Sequence, residues 1–429
     1  MAGGVVVVAG VAGVVAWRSR TGAARPPVTA RPPSPAGGGD VMWPVEVYTT
    51  VPDEVITRAG PALYIGDESG GVLALDARTG ARLWRFRHKG PLAATVGMAP
   101  AVAGGRVFAC LSIGLDFAVL VALDAATGRL VWRHQVTAPV LRMLLHDGLL
   151  LYATPAAVSA LDTSGGAPAW TLPLRDTTAV VAAGPLAVVA HFDPAENGRR
   201  LTVLRPAEGR PVWSREFGEV SGLTPMPHGG NLLVSALRVR DTREDTDLAA
   251  YRLGDGREVW ARRWRGAVSW TSVDRTALVT TDIDRLRLLD PATGAPRWTL
   301  RRHTGGGPAT WLAGDLVVAS MLSPGAAGDY DLLGLDRRTG RPRWTLPLPT
   351  WLIGGVVRDG VLYATTADDQ NHVLAVDTAS GTQLWKATAV PGSRLTLGTD
   401  LLYTYSVYDE PGGRHVHALD LATGEWVRR

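Results

Sequence analysis

The stretch Ala74-Leu-Asp76-Ala-Arg-Thr79-Gly80-Ala-Arg-Leu-Trp84 decides the fold of this chain, because close copies of it return along the whole sequence. In most copies an apolar strand ends in Asp, a short turn closes on Gly, and a second strand carries Trp eight residues after the Asp. The Trp recurs with a mean period of about 43 residues, which is typical of propeller blades. No copy shows the 3.6-residue apolar rhythm of a helix, so the sequence predicts an all-β fold.

The chemistry of this hairpin explains its three recurring residue types. Gly suits the left-handed position that closes a short turn, and Asp can accept hydrogen bonds from the backbone N–H groups of the turn. Trp offers a large apolar ring with one N–H donor, which suits a wedge between neighbouring blades. The predicted structural docking residues are Asp76, Gly80, Trp84, Asp124, Gly128, Trp132, Asp162, Gly166, Trp170, Trp213, Trp260, Asp290, Gly294, Trp298, Asp336, Gly340, Trp344, Asp377, Gly381 and Trp385. Arg205 and Arg252 replace the Asp in two middle copies, where we expect less tightly fixed turns.

A second apolar hairpin precedes each docking hairpin, as in Gly60-Pro-Ala-Leu-Tyr64 and Asp359-Gly-Val-Leu-Tyr363. Two hairpins per unit predict four antiparallel strands per blade. Eight units are in register, and a ninth around Asp420 and Gly424 carries its Trp426 two residues early. The repeat count alone leaves eight and nine blades open.

These Asp-x-x-Thr-Gly-x-x-x-Trp units resemble the tryptophan-docking motif of PQQ-like β-propellers, over residues 41–429. That group includes the quinoprotein dehydrogenases and the propeller lipoprotein that assists outer-membrane β-barrel assembly. The resemblance implies eight blades, with the extra unit or the strand around Trp43 used to close the ring. It specifies a fold rather than a function, because the motif is structural throughout the group.

The sequence of the N-terminal region predicts that this region tethers the chain to a membrane. Residues 1–20 contain an apolar stretch from Ala2 to Trp17 that is somewhat short for a membrane-spanning helix, followed by Arg18 and Arg20. Residues 21–40 form a linker rich in Pro and Gly. We interpret the apolar stretch as the end of a longer transmembrane helix, with an unstructured leader as the alternative. The layout is similar to that of actinobacterial receptor-type Ser/Thr kinases, whose extracytoplasmic propeller follows a membrane helix and a Pro-rich spacer.

Catalytic motifs are missing from the sequence. The two lysines, Lys89 and Lys386, fit neither a phosphate-binding loop nor a kinase strand, and no Gly-x-Ser-x-Gly, His-Glu-x-x-His or Cys-x-x-Cys occurs. The basic residues form no run of five, so the sequence predicts no nucleic-acid partner. Cys110, the single cysteine, lies in an apolar run and reads as a small buried side chain.

The enzyme class that the resemblance raises is a PQQ-dependent dehydrogenase. Many such relatives place a vicinal disulfide against the quinone, which a chain with one cysteine cannot form, and their calcium ligands find no match here. Two other metal candidates are weak: the acidic run from Asp241 to Asp247 reads as a solvated loop, and His415 with His417 as packing residues. We therefore expect no cofactor and no metal.

Three tryptophans outside the motif are candidates for a binding surface. Trp270, Trp311 and Trp351 fall in the apolar segments expected to form the inner strands of three consecutive units, which line the central channel. Aromatic side chains at a concave mouth suit ligand binding, and ordinary packing between blades is the alternative.

Taken together, these features predict a non-catalytic, extracytoplasmic, membrane-tethered propeller. It would act as a sensor or as a scaffold for a protein or small-molecule partner. A PQQ-dependent dehydrogenase and an envelope assembly factor are the alternatives.

Overall fold

The computed structural model describes residues 56–427. The gaps in this description are residues 68–70, 89–93, 96–97, 114–115, 196, 241–242, 304–308, 325–328, 369–371, 389–393 and 406–415. The predicted tether (residues 1–20), the linker (residues 21–40) and Trp43 lie outside the described residues. Among the described residues, none belongs to a helix long and apolar enough to cross a membrane.

The first five sheets follow one another along the chain. Blade 1 has β1 (Ile56–Ala59), β2 (Ala62–Asp67), β3 (Gly71–Asp76) and β4 (Arg82–Arg87). Blade 2 has β5 (Ala94–Thr95), β6 (Ala101–Ala103), β7 (Arg106–Ile113), β8 (Phe117–Asp124) and β9 (Leu130–Val136). Blade 3 has β10 (Arg142–His146), β11 (Leu149–Ala153), β12 (Val158–Asp162) and β13 (Pro168–Leu172). Blade 4 has β14 (Arg175–Ala183), β15 (Leu186–Asp193), β16 (Gly198–Arg205) and β17 (Arg210–Gly218). Blade 5 has β18 (Gly222–His228), β19 (Asn231–Arg240), β20 (Arg243–Arg252) and β21 (Glu258–Arg265).

The remaining four sheets repeat the pattern. Blade 6 has β22 (Ser269–Asp274), β23 (Ala277–Asp282), β24 (Arg285–Leu289) and β25 (Pro296–Arg301). Blade 7 has β26 (Thr310–Ala313), β27 (Leu316–Leu322), β28 (Tyr330–Asp336) and β29 (Pro342–Leu348). Blade 8 has β30 (Leu352–Arg358), β31 (Val361–Thr366), β32 (His372–Asp377) and β33 (Gln383–Thr388). Blade 9 has β34 (Arg394–Leu397), β35 (Leu401–Tyr405) and β36 (Val416–Asp420).

Each sheet is antiparallel, with its strands paired in chain order, except that in blade 2 the short strands β5 and β6 both pair with β7. The first strands of successive blades contact one another around the central axis, and the fourth strands form the outer rim. Up-and-down pairing places the turns after the first and third strands of every blade at one end of the ring, which we call the docking face. The loops after the second strands and the connections between blades lie at the opposite end, which we call the loop face.

The sequence pattern of each strand follows its place in the blade. The second and third strands are buried on both sides between neighbouring blades, so β11 and β12 read Leu-Leu-Leu-Tyr-Ala and Val-Ser-Ala-Leu-Asp with nearly every residue buried. The fourth strands are covered on one side only, so in β4 Trp84 is buried between exposed arginines. The core is therefore a series of nine apolar layers between blades rather than one centre.

The ring has nine blades, so the prediction of eight is wrong. The ninth repeat forms a sheet of its own, and a bridge between Leu419 and Trp426 adds to its outer edge. Blade 1 already has four strands from its own repeat, so it does not need the ninth unit as a spare strand. The expectation of eight blades came from the usual blade number of related propellers, whereas the sequence itself contains nine repeat units.

The motif tryptophans join the blades through one recurring hydrogen bond. The indole Nε1 of Trp84 donates to the carbonyl oxygen of Ala125, the residue after Asp124 in the next blade, at 2.9 Å. The same bond joins Trp132 to Thr163, Trp170 to Pro206, Trp213 to Leu253, Trp260 to Pro291, Trp298 to Arg337, Trp344 to Thr378 and Trp385 to Leu421, at 2.7–3.1 Å. Because the acceptor is a backbone carbonyl, the residue that supplies it can vary freely.

The glycine of the next blade lies flat against each docked ring. A Cβ atom added to Gly128 would lie 2.5 Å from Cε3 of Trp84, closer than side chains approach one another. The same approach pairs Gly166 with Trp132, Gly209 with Trp170, Gly256 with Trp213, Gly294 with Trp260, Gly340 with Trp298, Gly381 with Trp344 and Gly424 with Trp385. Since these glycines also have positive φ angles, the position excludes a side chain for two separate reasons.

The aspartates fix the turn that carries this glycine. Oδ1 of Asp76 accepts hydrogen bonds from the backbone N–H of Thr79 at 2.7 Å and from its hydroxyl at 2.7 Å. These bonds lower the pKa of Asp76, with the Thr79 hydroxyl as the main cause. Where Arg252 replaces the aspartate, the backbone bond from Gly256 N–H to the Arg252 carbonyl still closes the turn at 2.9 Å. The backbone geometry therefore persists without the carboxylate.

Blades 9 and 1 close the ring by a different contact. Leu401, Tyr403 and Ala418 of blade 9 pack against Leu63 and Ile65 of blade 1 in one buried cluster, which Val427 also joins. The ring of Trp426 instead lies 5.1 Å from that of His417 and packs with residues of blade 8, because it arrives two residues early. The closing boundary thus rests mainly on aliphatic and tyrosine packing.

Substituting Gly128 by Ala tests the docking geometry. We expect Gly128→Ala to lower the free energy of unfolding by about 3 kcal/mol or more, because the new methyl group must displace the Trp84 ring as well as adopt a positive φ. Gly148 is the matched control, since its φ is +78° and nothing lies within 4 Å of an added Cβ. Gly148→Ala should cost only about 1–2 kcal/mol of backbone strain. Equal losses in urea unfolding would show that the ring contact contributes nothing.

Candidate functional site

The structure separates the three tryptophans outside the motif. Trp311 lies in β26 and is 4% exposed, whereas Trp351 precedes β30 and is 41% exposed. Trp270 lies in β22, opposite Thr280 of β23, but its side chain is outside the described part of the structure. The two tryptophans whose side chains are described therefore differ in access to solvent.

Trp311 packs between blades 7 and 8. Its Nε1 donates to the carbonyl oxygen of Gly355 in β30 at 2.9 Å, and its Cζ2 atom would lie 3.0 Å from a Cβ added to Gly355. This contact repeats at the inner strands the arrangement of indole, carbonyl and glycine found at the motif hairpins. The sequence signal for it is Gly354-Gly355 in the next blade, which the sequence interpretation did not use.

A bulge in β30 presents an apolar side chain at the channel end of the loop face. Leu352 pairs with Thr366 and Gly354 pairs with Thr365, so Ile353 is an extra residue without a partner in β31. Ile353 is 48% exposed although its neighbour Leu352 is buried. Bulges commonly redirect a side chain next to a functional site.

Trp351, Ile353 and Tyr330 form the candidate site, which we call the loop-face patch. Trp351 and Ile353 lie two residues apart at the start of β30, and both side chains are exposed. The rings of Trp351 and Tyr330 lie 6.2 Å apart at an angle of 56°, which joins blade 8 to blade 7. The backbone N–H of Ala367 donates to the Trp351 carbonyl at 3.0 Å and fixes the position of the segment. The patch is thus an exposed apolar surface on a fixed backbone.

A largely buried ion pair lies next to Tyr330 of the loop-face patch. Arg302, the residue after β25, forms an ion pair with Asp331, which follows Tyr330 in β28. Its Nε donates to the Leu322 carbonyl at 2.7 Å. Both charged side chains are largely buried. Removing one partner of such a pair lowers the stability of the fold because it leaves an uncompensated buried charge. The pair therefore fixes the start of β28, where Tyr330 lies.

A second buried charge lies at the boundary of blades 5 and 6. Arg287 is 2% exposed, pairs with Asp282 at 2.5 Å, and has its guanidinium 4.4 Å from the ring centroid of Trp264 in the neighbouring blade. Nη1 of Arg287 and Nε1 of Trp264 are buried donors with no hydrogen-bond acceptor among the described residues. The stacking of a cation on an aromatic ring joins these blades near the loop face.

The remaining candidates carry no recognisable chemistry. Burial raises the pKa of Cys110 to about 12, so its thiol stays protonated. Asp247 pairs with Arg238 at 2.9 Å and with Arg263 at 2.6 Å, and His417 packs on Trp426. Within the described residues, no three His, Cys, Asp or Glu side chains converge as metal ligands would.

Comparisons with known proteins identify the family. A family model described as outer membrane protein assembly factor BamB matches three overlapping segments of the chain, residues 68–242, 156–299 and 282–428. The chain belongs to this family. The overlap of the three matches reflects the repeated BamB-like unit, which has no unique start.

Individual BamB relatives are moderately similar. The outer membrane protein assembly factor BamB of Alkalilimnicola ehrlichii is 30% identical over 214 residues, which are 47% of this chain and 52% of that protein. BamB of Yersinia pestis is 27% identical over 297 residues, or 64% of this chain and 70% of the relative. The chain therefore matches only about half the length of the first relative.

A solved BamB structure has the same architecture. The crystal structure of BamB from Moraxella catarrhalis aligns with a TM-score of 0.50 at 17% identity, over 87% of this chain and 97% of that one. At this identity the likeness concerns the fold. The match to the family model thus shows the BamB family, and the β-propeller architecture agrees with that membership.

Substituting the two described tryptophans separates a packing role from a surface role. We expect Trp311→Ala to lower the free energy of unfolding by about 3–5 kcal/mol, because it empties a buried position between blades. Trp351→Ala should cost about 1 kcal/mol or less, since much of its ring is already in water. Urea unfolding followed by circular dichroism measures both. Similar losses for the two variants would mean that Trp351 is a packing residue and would remove the basis of the loop-face patch.

Proposed function

We propose that this chain is a non-catalytic scaffold in the cell envelope that binds a partner protein through the loop-face patch. The observation that carries the proposal is the exposed surface of Trp351 and Ile353, which a bulge and a backbone hydrogen bond hold in place. Exposed aromatic and aliphatic side chains on a rigid support are the usual anchors of protein interfaces. The BamB relatives support an assembly role, because outer membrane protein assembly is the function in their name.

The location that we propose is outside the cytoplasmic membrane, attached to it through residues 1–20. The apolar N-terminal stretch and the Pro-rich linker support this attachment, and the BamB relatives support an envelope location. A sensor module like that of the receptor kinases would use the same surface. The two versions differ in the partner rather than in the site.

Site-specific crosslinking tests the partner surface. A photoreactive amino acid at Ile353 should crosslink the native chain to a specific envelope protein in intact cells, because Ile353 is 48% exposed beside Trp351. Leu384 is the matched control, since it is 52% exposed but lies on the outer strand β33. Adding Trp351→Ala should remove most of the Ile353 product without changing the melting temperature appreciably. Equal crosslinking from both positions, or a product that Trp351→Ala leaves intact, would contradict the proposal.

Cofactor reconstitution tests the enzyme alternative. We expect the chain, mixed with PQQ and Ca²⁺, to bind no stoichiometric quinone and to oxidise neither alcohols nor sugars in a dye-reduction assay. The reason is that Cys110 has no second cysteine for a vicinal disulfide, and the calcium ligands of the dehydrogenases find no match. A known quinoprotein dehydrogenase reconstituted in parallel controls the assay. Turnover with bound quinone would overturn the scaffold proposal.

A further inference from the structure

The outer strands carry a strong excess of positive charge. Strands β4, β9, β13, β17, β21, β25, β29 and β33 together hold thirteen Arg or Lys residues and two acidic residues, so this part of the described structure is net +11. The complete chain has a net charge of only +4. The basic residues of these strands, which we call the rim, are Arg82, Arg85, Arg87, Arg133, Arg210, Arg215, Arg262, Arg263, Arg265, Arg297, Arg301, Arg343 and Lys386. Positive charge is therefore concentrated on the rim, and the rest of the chain is net negative.

Most of this charge is available to a ligand. Four rim arginines pair with carboxylates: Arg215 with Glu258, Arg263 with Asp247, Arg297 with Asp290, and Arg343 with Asp315 and Asp336. Eight others form no ion pair with any described carboxylate, namely Arg82, Arg87, Arg133, Arg210, Arg262, Arg265, Arg301 and Lys386. All eight are exposed.

Two rim arginines also lie directly opposite an arginine of the third strand in their own blade. Arg285 of β24 faces Arg301 of β25, and Arg205 of β16 faces Arg210 of β17 in the strand register. Opposed like charges destabilise a sheet unless an anion lies between them. Arg262 of β21 donates from Nη2 to the Thr293 carbonyl of blade 6 at 3.4 Å, which brings the charge of blade 5 next to that of blade 6. The outer strands of blades 5 and 6 thus carry five arginines on adjacent blades, and three of them, Arg262, Arg265 and Arg301, form no ion pair with a described carboxylate.

Protection of exposed strand edges explains only part of this pattern. Charged side chains on edge strands prevent other chains from pairing with them. One charged side chain per edge strand would serve that purpose, whereas β4 and β21 each carry three arginines. The excess of a single sign calls for an anionic partner.

We propose that the rim binds a flexible linear polyanion, a phosphate-bearing polymer that follows the curved edge of the propeller across blades 5 and 6. A flat bilayer would touch a convex rim at one or two blades and leave most of the charge unused. A flexible chain can engage successive blades, and each added contact releases counterions. Nucleic-acid binding without sequence preference also uses aromatic stacking, but the eight docking tryptophans of the outer strands hold their indoles in contacts with the next blade. The recognised feature is therefore the backbone charge of the polymer.

Binding of long-chain inorganic polyphosphate to the full chain tests this proposal. The rim variant carries Arg262→Gln, Arg265→Gln and Arg301→Gln, together with Arg285→Gln at the position of β24 that faces Arg301. The control carries Arg78→Gln, Arg129→Gln, Arg275→Gln and Arg338→Gln, which are exposed on turns of the docking face and form no ion pair with a described carboxylate. We expect the rim variant to lose roughly tenfold or more in affinity near physiological salt, and its slope of log K against log salt to fall by about 3–4. The control should change much less. Both variants should melt like the native chain, because all eight side chains are exposed.

Three results would overturn the proposal. Equal losses in the rim and control variants would mean that net charge alone drives binding. Vesicles with anionic lipids bound as tightly as polyphosphate would identify a membrane surface as the partner. Single-stranded DNA bound more tightly than polyphosphate of equal charge would point to recognition of bases. None of these arms involves the loop-face patch, so the rim proposal can fail while the proposed function stands.

Discussion

The hydrogen bond from a tryptophan indole to the next blade's backbone carbonyl is the contact on which the ring depends. In water such a bond contributes only about 0.5–1.5 kcal/mol, but here the same donor ring also covers a glycine and fills the space between two sheets. The accepting residue, Ala125, has both of its polar backbone groups bonded. The carbonyl oxygen of Ala125 accepts a hydrogen bond from Nε1 of Trp84. The backbone N–H of Ala125 donates to the Gly105 carbonyl in the first hairpin of the same blade. One contact therefore sets both the spacing of two blades and the pairing within one of them.

This arrangement explains why the fold could be predicted from the sequence and where the prediction stopped. The spacing of Asp76, Gly80 and Trp84 reflects a backbone geometry that any copy must satisfy, so its repetition predicts four-stranded blades. The blade number was open because closure depends on the last repeat. Leu401 and Tyr403 settle it by packing against blade 1, a contact between distant parts of the chain that no local pattern encodes.

The candidate site was harder to predict for a related reason. Trp311 and Trp351 look alike in the sequence, and their difference in exposure comes from the neighbouring blade. Gly355 leaves space for the Trp311 indole, whereas Trp351 precedes the bulge at Ile353 and packs on Tyr330 with much of its ring in water. An aromatic residue on an inner strand can thus be assigned to the core or the surface only when the glycines opposite it are known.

The three surfaces of the propeller differ in how freely they can vary. On the docking face, the repeated turn demands Gly, and Asp where its carboxylate is used, so a new function would disturb the joints between blades. The loop face and the rim carry no such demand, because strand ends and solvent-facing positions leave the indole contacts untouched. The loop-face patch and the excess of basic side chains lie on these two surfaces. A ring whose repeated indole contacts lie at one end can therefore carry two independent binding surfaces, one apolar at the mouth of the channel and one cationic around the edge.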